Sequence, residues 1–273
     1  MKSAVKSYTV KLKVPKYFNL GQTLNCGQCF RFSQKDEGKY CGVAFNKYFE
    51  FTIDNNLLIA SSDSEISEND VTEFFDFDRD YDKINFDLSQ DKTMAEAIKY
   101  AGGIRILRQP YWETLCSFIL SQNNNIKRIT GIIERLCQNF GDDIGNGHYS
   151  FPSVERIAAL SLDDLAPIRS GFRAKYIIDA AQKVSNKEVD FDKIVAADTE
   201  TARQMLMKIK GVGPKVADCV LLFGFHKLDA FPKDVWIKKA LEEFYPDGVP
   251  EFFKEYGGIA QQYLFHYIRT KLN

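Results

Sequence analysis

The residues with the most chemistry in them lie between Lys208 and Asp234. Gly211-Val212-Gly213-Pro214 is a glycine-rich turn that runs into a helix start, and Lys215 is the next residue. Glycine permits positive φ and close approach of another backbone. Proline at a first helical position has no N–H to leave unpaired. The free N–H groups and dipole of such a helix start favour an anion, and a nucleic-acid phosphate is a natural occupant. Gly211 and Gly213 are therefore candidate DNA-backbone contacts, although a Gly-x-Gly can also be a plain tight connection. Lys215 either adds a second phosphate contact or serves as a nucleophile, because the helix dipole favours the uncharged amine that attack requires. Asp234 follows 19 residues later, just before the apolar-patterned Val235–Leu241. It reads as an N-cap, and a carboxylate held rigidly by capping can also stabilise developing positive charge or accept a proton. Together the set points to an amine that attacks a sugar carbon while the backbone of DNA is held nearby.

These groups need a scaffold, and the hydrophobic pattern predicts one in two parts. To about Asn85 the chain reads as short strands: Thr9–Val14, Cys29–Phe32, Tyr40–Phe45, Tyr48–Ile53 and Leu57–Ala60. Gln34–Lys39 and Asp54–Asn56 read as turns. The acidic Asp63–Asp91 reads as a solvated connector with a short helix. From Asp91 the period is helical, with helices from Pro110, through Ile126–Leu136, and over Val154–Leu160, Leu162–Ile168, Lys175–Val184, Thr201–Ile209, Pro214–Phe223, Val235–Tyr245 and Gly258–Lys271. The expected fold class is α+β, with an N-terminal antiparallel β domain (1–90) and a larger all-helical domain (91–273). The cleft is expected near their junction.

Composition narrows the class. Hydrophobic residues are 45% and aromatics 14% of 273, which suits a dense core. No apolar run approaches the roughly 20 residues that a bilayer demands. The N-terminus is basic without an apolar signal core, so cytoplasmic residence is expected, nucleoid-associated in a bacterium. The net charge of −1 is unevenly spread: residues 51–100 carry 13 acidic against 4 basic side chains, and residues 201–240 carry 8 basic against 3 acidic. The second segment either forms a solvated helix face or attracts a polyanion. The six cysteines are scattered through apolar segments and read as reduced core thiols. Cys26 and Cys29 have zinc spacing but lack a completing pair, so no metal is expected.

Read jointly, Gly211–Cys219 and Asp234 resemble the helix-hairpin-helix DNA glycosylases. Four further stretches narrow the resemblance to the eukaryotic type of 8-oxoguanine DNA glycosylase: Asn25–Arg31, Ser121–Ile126, Gly171–Tyr176 and Gly258–Phe265. The hairpin alone is a weak signal and the five-part set a strong one. The resemblance implies a bifunctional glycosylase and abasic-site lyase without cofactor. Lys215 would attack C1′ and hold the sugar as a Schiff base, and Asp234 would stabilise the oxocarbenium-like state. The damaged nucleotide must be flipped into a pocket. There the carbonyl of Gly27 would accept the N7 proton that distinguishes 8-oxoguanine from guanine, a difference worth about 1–3 kcal/mol. Phe265 and Cys219 would face the two sides of the base, and Gln261 its Watson–Crick edge. On the other strand the resemblance gives Asn123 the gap, Arg128 and Arg173 the orphaned cytosine, and Phe172 the wedge at the unstacked step.

Trp236 stands where animal relatives carry His, and an indole cannot become cationic. The expected partner is duplex DNA containing 8-oxoguanine, bound by a monomer without a membrane. The rival readings are a glycosylase for another damaged base and a non-catalytic helix-hairpin-helix DNA binder.

Overall fold

The structure is a computed structural model that describes residues 7–271; the basic segment 1–6 and residues 272–273 lie outside the described residues. Strand β1 (Tyr8–Lys13) is followed by helix α1 (Leu20–Asn25) and then by β2 (Phe32–Asp36), β3 (Lys39–Ala44), β4 (Lys47–Asp54) and β5 (Leu57–Ser62). They form one antiparallel sheet in the order β1-β5-β4-β3-β2, so β2 to β5 are a meander and β1 is added at the far edge. Two of the hairpins turn on residue pairs with positive φ, Phe45-Asn46 and Asn55-Asn56. That geometry matches the twist of the flanking strands.

The first meander strand starts at Phe32, not Cys29. Cys26 and Phe30 instead bury themselves in the helical core, which pulls the intervening loop away from the sheet. The stretch expected as a turn shortens accordingly, since β2 runs on to Asp36.

The acidic segment is not a solvated connector. It holds α2 (Glu68–Phe74) and α3 (Tyr81–Leu88), which bury Val71, Phe74, Tyr81, Ile84 and Leu88. Many of its acids are used locally: Ser67 and Asp70 form a capping box, and Asp80 caps α3. Asp76 is buried and takes Arg79 at 2.6 Å and Arg108 at 2.9 Å. The high charge density hid an apolar stripe.

Helices α4 (Lys92–Ala101), α5 (Tyr111–Ser121) and α6 (Ile126–Phe140) follow. After them come a small hairpin of β6 (Asp143–Gly145) and β7 (His148–Tyr149), then α7 (Val154–Ala158) and α8 (Ala174–Ser185). The chain ends in α9 (Phe191–Ala196), α10 (Thr199–Leu206), α11 (Pro214–Phe223), α12 (Val235–Phe244) and α13 (Gly257–Lys271). The fold is thus α+β, a five-stranded sheet followed by a helical array. Leu162–Ile168 forms only a short 3-10 turn over Ala166–Ile168. Pro167 lacks an N–H for a longer helix, and Asp164 turns its carboxylate back onto the Ser161 N–H at 2.8 Å. Core α11 is buried from Val216 to Phe223.

Two partly buried histidines are expected to make the fold sensitive to acid. Burial pushes His226 down to about 4, with Arg108 and Arg79 adding to it against the pull of Asp76. Burial likewise pushes His266 down to about 4, with Arg269 contributing. Between their ordinary 6.5 and about 4, the unfolded chain takes up protons that the folded chain refuses. Stability is therefore expected to fall as pH drops through that window, by about 1–3 kcal/mol for each histidine. Thermal melts from pH 7.5 to pH 4.5 check this, and His226→Gln should flatten part of the slope.

Candidate active site

The helix-hairpin-helix is built from α10, the turn after it, and α11. Asp198 caps α10 through the Thr201 N–H at 2.9 Å. Arg203 reaches across to the buried Asp218 of α11 at 2.5 Å, tying the two helices together. The turn is pinned from α8, where Asp179 accepts the Lys210 N–H at 2.7 Å. The two glycines have different reasons to be there. Gly211 has φ +79, and a Cβ on it would meet the Tyr176 ring at 2.5 Å. Gly213 is the extended N-cap of α11, and a Cβ there meets nothing within 4 Å. Gly211→Ala is expected to lose about 2–3 kcal/mol from left-handed strain plus overpacking, with Tyr176→Ala partly rescuing it in a denaturation double-mutant cycle.

Pro214 is the first residue of α11 and Lys215 the second. The Lys215 side chain leans over Phe118, with Nζ 5.8 Å from the ring centroid. Asp234 caps α12: its Oδ1 accepts the N–H groups of Trp236 at 3.0 Å and Ile237 at 2.8 Å. Its other oxygen makes no hydrogen bond among the described residues. Capping uses one oxygen and leaves one for chemistry.

Both side chains open onto one cleft of about 520 Å³. It also receives Gly27, Cys219, Gln261 and Phe265, from the loop after α1, from α11 and from α13. Gly27 has φ +84 with open space at its Cβ position, so glycine is there for conformation. Gln28 holds that loop in place. It is buried, donates to the carbonyls of Thr23 at 2.9 Å and Arg105 at 2.8 Å, and accepts the Leu107 N–H at 2.9 Å. Burial pushes the Cys219 thiol up to about 11, against the pull of Lys215, so it stays protonated at neutral pH. Burial also raises Cys26, to about 12, and Cys29. Phe118 and Phe223 stack at 5.3 Å on one wall of the cleft. Trp236 lines it as well, under the Lys239 ammonium at 5.0 Å.

The remaining candidates lie outside the cleft lining. Asn123, in the α5–α6 turn, is exposed with φ 47. Arg128 is exposed on α6, whose N-cap is Asn125. Phe172 is 51% exposed beside the Arg173 guanidinium at 4.5 Å. Arg173 itself is buried. It donates to the carbonyls of Gln122 at 2.8 Å, Asn123 at 2.8 Å and Ser170 at 3.2 Å. In this structure it pins the turn that carries Asn123. Arg128 lies close enough to depress the Arg173 pKa further, after burial. Sequence reasoning gave no role to Gln28, Gln262 or Arg269. Arg269 lies one helical turn after Phe265, over whose ring its guanidinium sits at 5.2 Å, and that spacing was a usable signal.

A helix-hairpin-helix leading into a lysine, with a capping aspartate lining the same cleft, is the arrangement expected of base-excision DNA repair proteins with this motif. Residues 116–248 match the family described as HhH-GPD superfamily base excision DNA repair protein, and residues 11–115 match 8-oxoguanine DNA glycosylase, N-terminal domain. The chain is 34% identical to a probable N-glycosylase/DNA lyase of Methanothermobacter thermautotrophicus over 71% of its length and 72% of the relative's. It is 41% identical to the N-glycosylase/DNA lyase of Saccharomyces cerevisiae over 58% of its length, a match that spans only 46% of the yeast protein. Among solved structures it resembles a Clostridium acetobutylicum 8-oxoguanine glycosylase/lyase bound to duplex DNA with cytosine opposite 8-oxoG. The TM-score is 0.85 at 35% identity, covering 94% of this chain and 93% of that one. The chain belongs to the 8-oxoguanine DNA glycosylase family. None of the helices among the described residues is long and apolar enough to cross a membrane.

Proposed function

We propose that this protein is a bifunctional DNA glycosylase and abasic-site lyase that removes 8-oxoguanine from duplex DNA, preferentially opposite cytosine. The observation that carries the reading is the convergence of Lys215, Asp234, Gly27, Cys219, Gln261 and Phe265, from four separate segments, on one cleft. A flipped nucleotide would place its base between Phe265 and Cys219 and its sugar at Lys215. Nζ forms a bond to C1′ through its lone pair as the C1′–N9 bond breaks, the electron pair leaves with the base, and the proton that the new C1′–N bond sheds goes to the departing base. The free oxygen of Asp234 faces the positive charge that grows on the sugar. Ring opening gives the Schiff base, and loss of the C2′ proton expels the 3′ phosphate. The carbonyl of Gly27 accepts the N7–H of the lesion, a donor that guanine lacks.

Outside the cleft, Gly211 and Gly213 present the turn and helix start to a phosphodiester. This contact positions without reading sequence. Arg128, exposed on α6, would read the orphaned cytosine, and Arg173 would join it only by giving up one of its backbone carbonyl partners. As it stands, Arg173 holds the turn that offers Asn123 to the gap, and Phe172 wedges the unstacked step.

Duplexes carrying 8-oxoguanine opposite each of the four bases, and one carrying 3-methyladenine, test the proposal by base release. Fastest release of 8-oxoguanine opposite cytosine is expected. Release of the alkylated base alone, or tight binding without any release, would transfer the protein to one of the rival readings.

A further inference from the structure

Gln261 and Gln262 are adjacent on α13, both line the cleft, and both are nearly fully buried, at 3% and 5% exposure. The Nε2 of Gln262 donates to the Oε1 of Gln261 at 2.8 Å. That is the only hydrogen bond of the Gln262 carboxamide among the described residues, because its own Oε1 is buried without a partner. A buried carboxamide oxygen left unpaired is uncommon in native proteins and unfavourable. A methionine would fill the same space without it. Packing therefore gives no reason for an amide at position 262, and its one partner is the side chain assigned to the edge of the base.

We infer that Gln262 is a positioning residue that fixes the carboxamide of Gln261 in one of its two orientations and so makes the pocket selective for 6-oxopurines. This inference rests on the base-excision reading of the cleft. A glutamine amide free to turn over can offer its donor and acceptor in either order. One order fits O6 and N1–H of a guanine-like base, and the other fits N6–H and N1 of an adenine-like base. With one lone pair of Oε1 held by Gln262, Gln261 keeps its second lone pair for N1–H and its Nε2 for O6. The Gln261 side chain makes no other hydrogen bond among the described residues, so both groups are available. Turning Gln261 over would require Gln262 to turn as well. That would bury two unpaired N–H donors where one carbonyl oxygen now sits, and orphaned N–H groups are tolerated less well than orphaned carbonyls.

The test is Gln262→Met on the full chain, with three readouts. Excision of 8-oxoguanine should fall about 5- to 10-fold, the worth of one hydrogen bond in placing the base. Discrimination between 8-oxoguanine and 8-oxoadenine should shrink by a similar factor, about 5- to 10-fold. Strand cleavage at a preformed abasic site, which presents no base, should stay within about twofold, and the melting temperature should hold or rise. Unchanged excision and unchanged discrimination in the variant would overturn the inference, as would a parallel loss of excision and abasic-site cleavage. If the unaltered protein released no 8-oxoguanine, the base-excision reading would fail first, before Gln262 came into question.

Discussion

Lys215→Gln is expected to lower base release by on the order of 1,000-fold or more and to abolish strand cleavage, while the protein stays folded. Glutamine keeps much of the length and polarity of lysine but has no nucleophilic nitrogen, so no covalent bond to C1′ can form. Lys215 is exposed and sits at the second position of α11. Removing a cation from a helix N-terminus should leave stability unchanged or raise it by about 0.3–1 kcal/mol. That combination separates a chemical role from a structural one. Loss of a lysine that merely held a phosphate would weaken DNA binding and its salt dependence, and saturating enzyme would restore the rate. The check is single-turnover kinetics at saturating enzyme, alongside a thermal melt. A rate within about tenfold of the unaltered protein would return Lys215 to the phosphate-contact reading.

The second large effect belongs to Asp234, where capping and chemistry can be pulled apart by choice of substitution. Asparagine is about as good an N-cap as aspartate, so Asp234→Asn should melt near the unaltered protein. Asp234→Ala removes the acceptor for the Trp236 and Ile237 N–H groups and should lose about 1 kcal/mol. Both variants lack the charge proposed to face the sugar, and both should lose about 100- to 10,000-fold in the single-turnover rate of base release. If asparagine retained the rate and alanine lost it in proportion to stability, the carboxylate would be a cap and nothing more.

The parts of this site that were legible in sequence are those whose physics is local. Gly213, Pro214, Lys215 and Asp234 lie at helix starts, where each residue type has a short-range reason for its position. The strands were legible because Thr9–Val14 alternates polar and apolar residues and the later short apolar runs are set off by turn residues, both of which are local. The acidic segment was not, because caps such as Asp70 and Asp80 and the buried Asp76 look like solvated charge until their partners are known. Cys29 read as strand because its aromatic neighbours favour extended chain, and only tertiary burial of Phe30 draws the loop elsewhere. The meeting of Gly27 with Phe265 spans most of the chain, and no local pattern encodes it. Composition and periodicity left that convergence open, and the family resemblance supplied it as an expectation. The buried placement of Arg173 has the same origin: its three carbonyl partners come from two turns that the sequence keeps about 50 residues apart. Gln28 and Gln262 give no signal in sequence because a glutamine is ordinarily a surface residue. Only coordinates reveal which ones are enclosed.

The most direct measurement is to locate the covalent bond itself. The protein is incubated with an 8-oxoguanine·cytosine duplex, reduced with borohydride, digested, and the nucleotide-bearing peptide is sequenced by mass spectrometry. A single adduct on Nζ of Lys215 is expected. An adduct on a different lysine or on the N-terminal amine, or full base release with no reducible adduct at all, would contradict it.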